Sequence, residues 1–356
     1  MKKILLLLVA VFAFISNINA QTWNMVVTHK DGTVQVIKVS DVKNVTFQLP
    51  DQNADQVIIK ELYTTGVPIE NDPKNFFQMD KGFILYNNGG KTAVISNLAI
   101  GILDPYNAQS VANAWYGTGA TEPSYVSQGW VPAACGIWYF PNSLIIEPYS
   151  QVVISCMGAI DNTKTYPQSI NYANKDYYTM YDPESGFKNP KYYPTPADVI
   201  PTNQYLKAVE YGQGNAWPLS VTSPGFFIFQ TKNTTPAAFA NDASNITYAP
   251  GKALNKINAV LKVPTDWIID GVEVYEKINE SKSKKRFGSD VDAGYVMQTV
   301  KLGHSVYRNV DAVATKKIEG NADKLVYNYQ YGADPSHIDA EASMKNGAKI
   351  VYMDTN

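Results

Sequence analysis

The feature that most limits the folds open to this chain is the spacing of its apolar runs. They are about five to eight residues long, the length of strands, and each is cut off by glycine, proline or asparagine. VIIKELYTTG (57–66) ends on Thr-Thr-Gly, and GFILYNNGG (82–90) ends on two asparagines and two glycines. The pattern returns in KTAVI (91–95), LIIEPYSQVVI (144–154), GFFIF (225–229), WIIDGVEVY (267–275) and GHSVYR (303–308). No long segment carries the 3.6-residue period of an amphipathic helix; residues 254–261 and 339–346 are the short-helix candidates. Composition agrees with strands and turns. There are 24 Tyr, 23 Gly and 20 Pro, and only 17% of residues are charged. Tyr, Thr and Val suit pleated surfaces, while Gly, Pro and Asn suit turns. The expectation is an all-β chain, with a sandwich favoured over a parallel α/β sheet.

The first twenty residues read as a targeting segment. Lys2 and Lys3 precede a continuous apolar stretch at 4–15, and Asn17, Asn19 and Ala20 make a small, polar exit. That is the pattern of a secretory signal peptide cut after Ala20, too short to span a bilayer. Its loss moves the formal charge from -2 to -4, a mild acidity that argues against nucleic acid as a partner. The expected location is periplasmic, cell-surface or extracellular, with no transmembrane segment in the mature chain. Residues 21–50 follow with MVVTHK and TVQVIKV alternating around Asp31-Gly32, a hairpin signal. This stretch resembles a short N-terminal module common on exported bacterial proteins, in which a strand pair ends in an "sDI..itF" motif. Because a lone hairpin is marginal in water, it is expected to dock. PDQNAD at 50–55 is turn-rich, which sets a linker at 51–56 and a main domain at 57–356.

The order of motifs in the main domain resembles the lamin-tail domain, an immunoglobulin-like β-sandwich. The matching stretches are 58–66, 80–89, 94–100, 144–154, 269–275 and 303–308. Gly82 and Leu85 depart from the usual acidic "IEL" pattern, and Pro148-Tyr149 replaces a Pro-Gly turn. Taken whole, residues 57 to about 345 resemble domain-of-unknown-function family 4876, a group of exported bacterial proteins. The phrases KELYTTG, ILYNN, VPTDWIIDGVEVYE and GHSVYRN carry that likeness. The resemblance implies a lamin-tail-like sandwich with long loop insertions at 104–142 and 156–222.

Those insertions are rich in aromatic rings, and long loops on a rigid scaffold are where binding concentrates. Trp115, Tyr116, Trp130, Trp138, Tyr139, Tyr192, Tyr193 and Trp217 are the ligand-binding candidates, since flat rings beside amides stack on sugars or contact protein. The competing reading is that the rings roof the sandwich and bury one another. No residue stands out as catalytic, cofactor-binding or metal-ligating. The three His (His29, His304, His337) lack metal spacing, and no G-x-S-x-G or HExxH occurs. Acid pairs such as Asp182/Glu184 and Asp290/Asp292 leave a carboxylate hydrolase as the alternative function. A structural partner of outer-membrane proteins is the third reading. Cys135 and Cys156 either pair in an oxidising compartment or stand as buried thiols. The basic run at 280–286 reads as a solvated loop. The expectation is therefore a cell-envelope or extracellular binding protein for a glycan or a protein.

Overall fold

A computed structural model of the protein describes residues 23–43, 45, 49–70, 72–109, 113–327 and 334–354. The expected signal peptide lies outside the described residues. The chain divides into two compact units, Met1–Leu49 and Pro50–Asn356. In the first, β1 (Asn24–Thr28) and β2 (Val34–Lys38) pair antiparallel, with Val26 opposite Val36. Their connection is shaped by Asp31, whose Oδ1 accepts the Thr33 amide at 2.9 Å and hydroxyl at 2.7 Å.

The second unit opens with β3 (Val57–Tyr63), β4 (Val67–Ile69), β5 (Asp72–Phe77) and β6 (Gly82–Asn87). β7 (Ala93–Ile95), β8 (Leu98–Ile102), β9 (Trp130–Ala134) and β10 (Gly136–Tyr139) come next. They are followed by β11 (Leu144–Ile146), β12 (Gln151–Ser155), β13 (Tyr178–Met180) and β14 (Tyr205–Glu210). β15 (Gly225–Gln230), β16 (Ile246–Tyr248) and β17 (Ala259–Pro264) lead to β18 (Ile268–Glu276), β19 (Val296–Gln298) and β20 (Val306–Tyr307). Three short helices accompany them: α1 (Pro236–Asn241), α2 (Ala312–Lys317) and α3 (Ala340–Lys345). The protein is mostly β, and among the described residues no helix is long and apolar enough to cross a membrane.

One sheet dominates, with eleven strands in the order β19-β18-β15-β8-β10-β14-β13-β12-β6-β3-β20. It curls until its ends nearly meet, and side chains rather than a ladder bridge the gap. The Asp270 carboxylate on β18 accepts the Ile59 amide of β3 at 2.6 Å and the Arg308 guanidinium beyond β20 at 2.6 Å. Alternation fills the interior. Val57, Ile59, Phe83, Leu85, Leu98, Ile100, Trp138, Ile154, Leu206, Phe226 and Ile228 share one core, as successive strand residues must point to opposite faces. The register of β3 on β6 shifts between Ile59 and Glu61. This bulge keeps Val57, Ile59 and Leu62 inward while Ile58 packs outward under the C-terminal Ile350 and Tyr352.

On the outer face of β8, β10 and β15, the alternate residues Ala99, Ile137, Phe227 and Phe229 meet Val131, Ala133, Leu261 and Val263 of the three-stranded sheet β16-β17-β9. Two layers stack face to face there. Elsewhere the outside of the large sheet is covered by loops and by the C-terminal segment.

The two stretches expected to be loop insertions are corrected by the structure. Residues 104–142 supply β9 and β10, and 156–222 supply β13 and β14. β10, β14 and β13 sit in the middle of the eleven-stranded order, so these segments build the sheet. The helix expected at 254–261 is a single 3-10 turn, Lys256–Asn258, running into β17. The one at 339–346 forms as α3, with the Asp339 carboxylate accepting the Ala342 amide at 2.9 Å as its N-cap.

Candidate functional site

Among the described residues, a cleft of about 460 Å³ opens where the end of β8, the β9–β10 junction and the start of β17 converge. Its size falls in the range of small-ligand sites. Asp104 and Pro105, joined by a cis peptide, leave the sheet just after β8. The Asp104 amide donates to Pro132 O at 2.9 Å, and its Oδ2 accepts the Trp115 indole N–H at 2.7 Å. Burial pushes this carboxyl above the usual carboxylate range, against the pull of that hydrogen bond.

Cys135 forms another part of the wall. It stands between β9 and β10 with φ 64°, a region side chains rarely adopt. The turn is pinned because its carbonyl accepts the Tyr211 and Gly212 amides at 3.2 and 2.8 Å. A Cβ on Gly212 would lie 2.4 Å from the Cys135 Cα, so only glycine allows this approach. Burial, with the nearby Asp104 charge, pushes the Cys135 thiol up to about 11. It is a protonated wall group rather than a nucleophile.

The opposite wall is a turn. Ala249-Pro250-Gly251-Lys252 closes with the Lys252 amide donating to Ala249 O at 3.0 Å, and Gly251 has φ 73°. Proline second and glycine third are what such a turn requires. It delivers Lys252, which is exposed, to the cleft edge beside Asn258 and Gln213. Tyr106, 51% exposed, stands at the mouth. A second depression of about 280 Å³ adjoins it and shares Pro105 and Tyr106 with the first, so one ring stands between two hollows.

Beneath the cleft lies a fully buried ion pair, Glu273–Arg286, at 2.7 Å. Arg286 also donates to Pro105 O at 2.6 Å and to Ser223 O at 2.8 Å. The basic run at 280–286 is therefore not a solvated loop at its end. Arg286 is entirely buried, and Lys285 lies 3.7 Å from both Glu273 and Asp292. Of the acids singled out by spacing, Asp182 pairs with Lys207 at 3.1 Å, while Glu184 and Asp290 are exposed.

The eight aromatic candidates are dispersed. Trp115, Trp138, Tyr193 and Trp217 are buried at 4%, 0%, 4% and 2% exposure, which leaves them no face for an outside ligand. Trp138 stacks on Phe187 at 5.8 Å and touches Tyr193 at 5.5 Å inside the large sheet. The Trp217 indole donates to Gly136 O at 3.0 Å. Tyr116, Trp130, Tyr139 and Tyr192 are half-buried. The Tyr116 hydroxyl donates to Lys285 O, and the Lys284 ammonium sits 4.6 Å from its ring centre. Tyr139 packs on the outer core and Tyr192 on the inner one. The structure brings together Trp115 and Trp130, edge to face at 5.5 Å with Tyr125 beside them. That cluster supports the cleft through Trp115 and Asp104 and does not line it as a shelf.

Cys135 and Cys156 are both free, so the candidate disulfide does not form. They flank β10 and β12, which β14 and β13 separate. Three strand spacings of about 4.8 Å put them beyond the reach of an S–S bond. Asp104, Tyr106 and Lys252 were not singled out by sequence as ligand-binding candidates. Tyr106 is one tyrosine among many, and the Pro-Gly turn before Lys252 announces a turn without saying what it faces.

The sequence profile of the family described as "Protein of unknown function (DUF4876)" matches residues 147–327, just over half of the chain. No curated protein matches. The crystal structure of a DUF4876 family protein from Bacteroides thetaiotaomicron VPI-5482 is similar, with a TM-score of 0.59 and 18% identity. The match covers 94% of this chain and 79% of that one. At that identity the likeness speaks for the fold alone.

Proposed function

The chain belongs to the DUF4876 family of proteins of unknown function, and from the cleft around Tyr106 we propose that it is an exported binding protein for a glycan. The observation that carries this reading is the half-exposed Tyr106 ring standing between two adjoining hollows, with the side chains of Asp104, Gln213, Asn258 and Lys252 around the larger. A sugar offers an apolar C–H face to a ring and hydroxyls to amide and carboxyl groups, which is the mixture present. The signal-like leader, with two lysines before an apolar stretch, supports a site of action in the cell envelope or outside the cell.

A lamin-tail-like, immunoglobulin-type sandwich is the finer fold we infer. β3, β6, β12, β18 and β20 fall on the motifs that suggest it, and β16-β17-β9 stack on the large sheet as a second layer. The hydrolase alternative lacks support in this cleft. Among the described residues that line it, Asp104 is the one carboxylate, and glycoside hydrolysis in its usual form needs two.

The test uses two reporters built into the site. Trp115 touches Asp104 from behind, so a bound sugar is expected to shift its fluorescence, with Trp115→Phe as the control. Cys135 lines the wall, so the same sugar is expected to slow its alkylation at alkaline pH, where a fraction of the thiol ionises. Glycan-array hits should lose about tenfold in affinity (~1.4 kcal/mol) in Tyr106→Ala. An array without hits, or hits that neither protect Cys135 nor respond to Tyr106→Ala, removes the reading.

A further inference from the structure

We propose that the cleft selects acidic sugars, with Lys252 meeting the acid group while Tyr106 carries the sugar ring. The inference rests on the glycan reading above and names the class of glycan. It follows from which charges near the cleft already have partners. Lys256, four residues on from Lys252, pairs with Glu210 at 2.9 Å, and Arg286 beneath pairs with Glu273 at 2.7 Å. Lys252 has no carboxylate within ion-pair distance among the described residues, and it feels Asp104 only at longer range.

The Asp104 carboxylate is turned inward to the Trp115 indole, whose N–H it accepts at 2.7 Å. One face of its charge is thus engaged by the indole. Asn258 and Gln213 are neutral, so Lys252 is the one cation among the described residues that line the cleft, and it is exposed. A neutral sugar seated there would give the ammonium hydroxyl acceptors but no opposite charge, which an acid group on the sugar supplies. The second hollow beyond Tyr106 gives room for the next residue of the chain, so an oligosaccharide suits the site better than a single sugar.

The experiment is calorimetric titration of the full-length exported chain with oligosaccharides of equal length. One set carries uronic acids, one carries sulfate esters, and one is neutral. Acidic chains are expected to bind at least tenfold more tightly than neutral ones, with the advantage shrinking as salt rises. Lys252→Met, an exposed position whose loss leaves folding intact, should bring acidic and neutral chains to the same affinity, and Lys252→Arg should keep the preference. A gain for both acidic sets shows that Lys252 reads charge, a gain for the uronic set alone shows that it reads a carboxylate, and either upholds the inference. Equal binding of neutral chains, still weakened by Tyr106→Ala, overturns the acid preference and leaves the glycan site standing. Binding of no sugar at all takes both away. An acidic peptide that displaces the sugar and depends more strongly on Lys252 overturns the assignment to glycans.

Discussion

Lys81 shows how little of a residue's chemistry its neighbours in sequence reveal. In MDKGF it reads as a solvated turn lysine, yet it is 2% exposed, and its ammonium donates to Leu219 O at 2.5 Å. The partner lies on a distant loop, so no local pattern announces the burial. Desolvation lowers its pKa to about 8, and the Cys156 and Asp80 charges resist only in part. The sign of the linkage follows. An unfolded lysine holds its proton to about 10.4, so between about 8 and that value the unfolded chain binds more protons than the native one, and stability rises with pH. Buried tyrosines such as Tyr63 and Tyr172 are pushed the other way but act only above the ordinary tyrosine value, whereas the buried thiols Cys135 and Cys156, pushed up to about 11 and about 12, oppose the lysine within this window. The lysine's share is therefore read as a difference: from pH 8 to 10 the parent should gain up to about 2 kcal/mol relative to Lys81→Met in thermal melts. A variant with the same pH slope as the parent would show that the ammonium is hydrated in the native state. Lys252 is the opposite case. Its exposed position follows from a Pro-Gly turn visible in the sequence, while the cleft it faces was not.

At the scale of elements, legibility tracked alternation. β3, β6, β12, β15 and β18 were readable because Val, Ile, Leu and Phe recur there between turn residues. β9, β10, β13 and β14 were not. WVPAA carries a proline, YTM is three residues long, and Trp138 and Tyr139 in GIWY read as loop aromatics. Proline is tolerated in β9 because that strand is an edge of its three-stranded sheet. α1 went unread although Thr235-Pro236 is a capping signal, its hydroxyl accepting the Ala238 amide at 3.2 Å. The aromatics therefore divide by the element that holds them, and the division is measurable. Trp138→Ala should cost about 3–5 kcal/mol of stability, as a ring lost from a packed interior does. Tyr106→Ala should stay within about 0.5 kcal/mol of the parent, as a change at a half-exposed position does. Urea midpoints at constant slope measure both. A mild Trp138→Ala would mean that β10 is not the central strand described above.

For the whole molecule, the all-β class was plain from the spacing of turns, but the closure of the large sheet was not. Closure joins Ile59 to Asp270 across 211 positions, and nothing local encodes such a pairing. The motifs that carried the family resemblance nevertheless contain the parts. Asp270 sits in VPTDWIIDGVEVYE and Arg308 in GHSVYRN, and each motif supplies one half of the clasp. Where β3 and β18 approach without a ladder, the Asp270 carboxylate takes the Ile59 amide, and the Arg308 Nε reaches Ile59 O at 3.2 Å. Arg308 also ties in the chain end through Met353 O at 3.1 Å and Asp354 at 3.0 Å. One ion pair, buried on its Asp270 side, thus stands in for missing backbone bonds at the seam. Removing the Asp270 carboxylate leaves the Ile59 amide without its partner, while Arg308 keeps Ile59 O, Met353 O and Asp354, so Asp270→Ala should cost about 1–3 kcal/mol. The loss should be local before it is global. Hydrogen exchange should accelerate first at Ile59 and along β20, while β8 and β10 in the middle of the sheet keep their protection. Asp270→Asn keeps an oxygen for the Ile59 amide and gives up only the charge, so it should fall between the parent and the alanine variant. If Asp270→Ala instead left the seam amides as protected as before, the sheet would be held shut by its core packing alone, and the clasp would be incidental to closure.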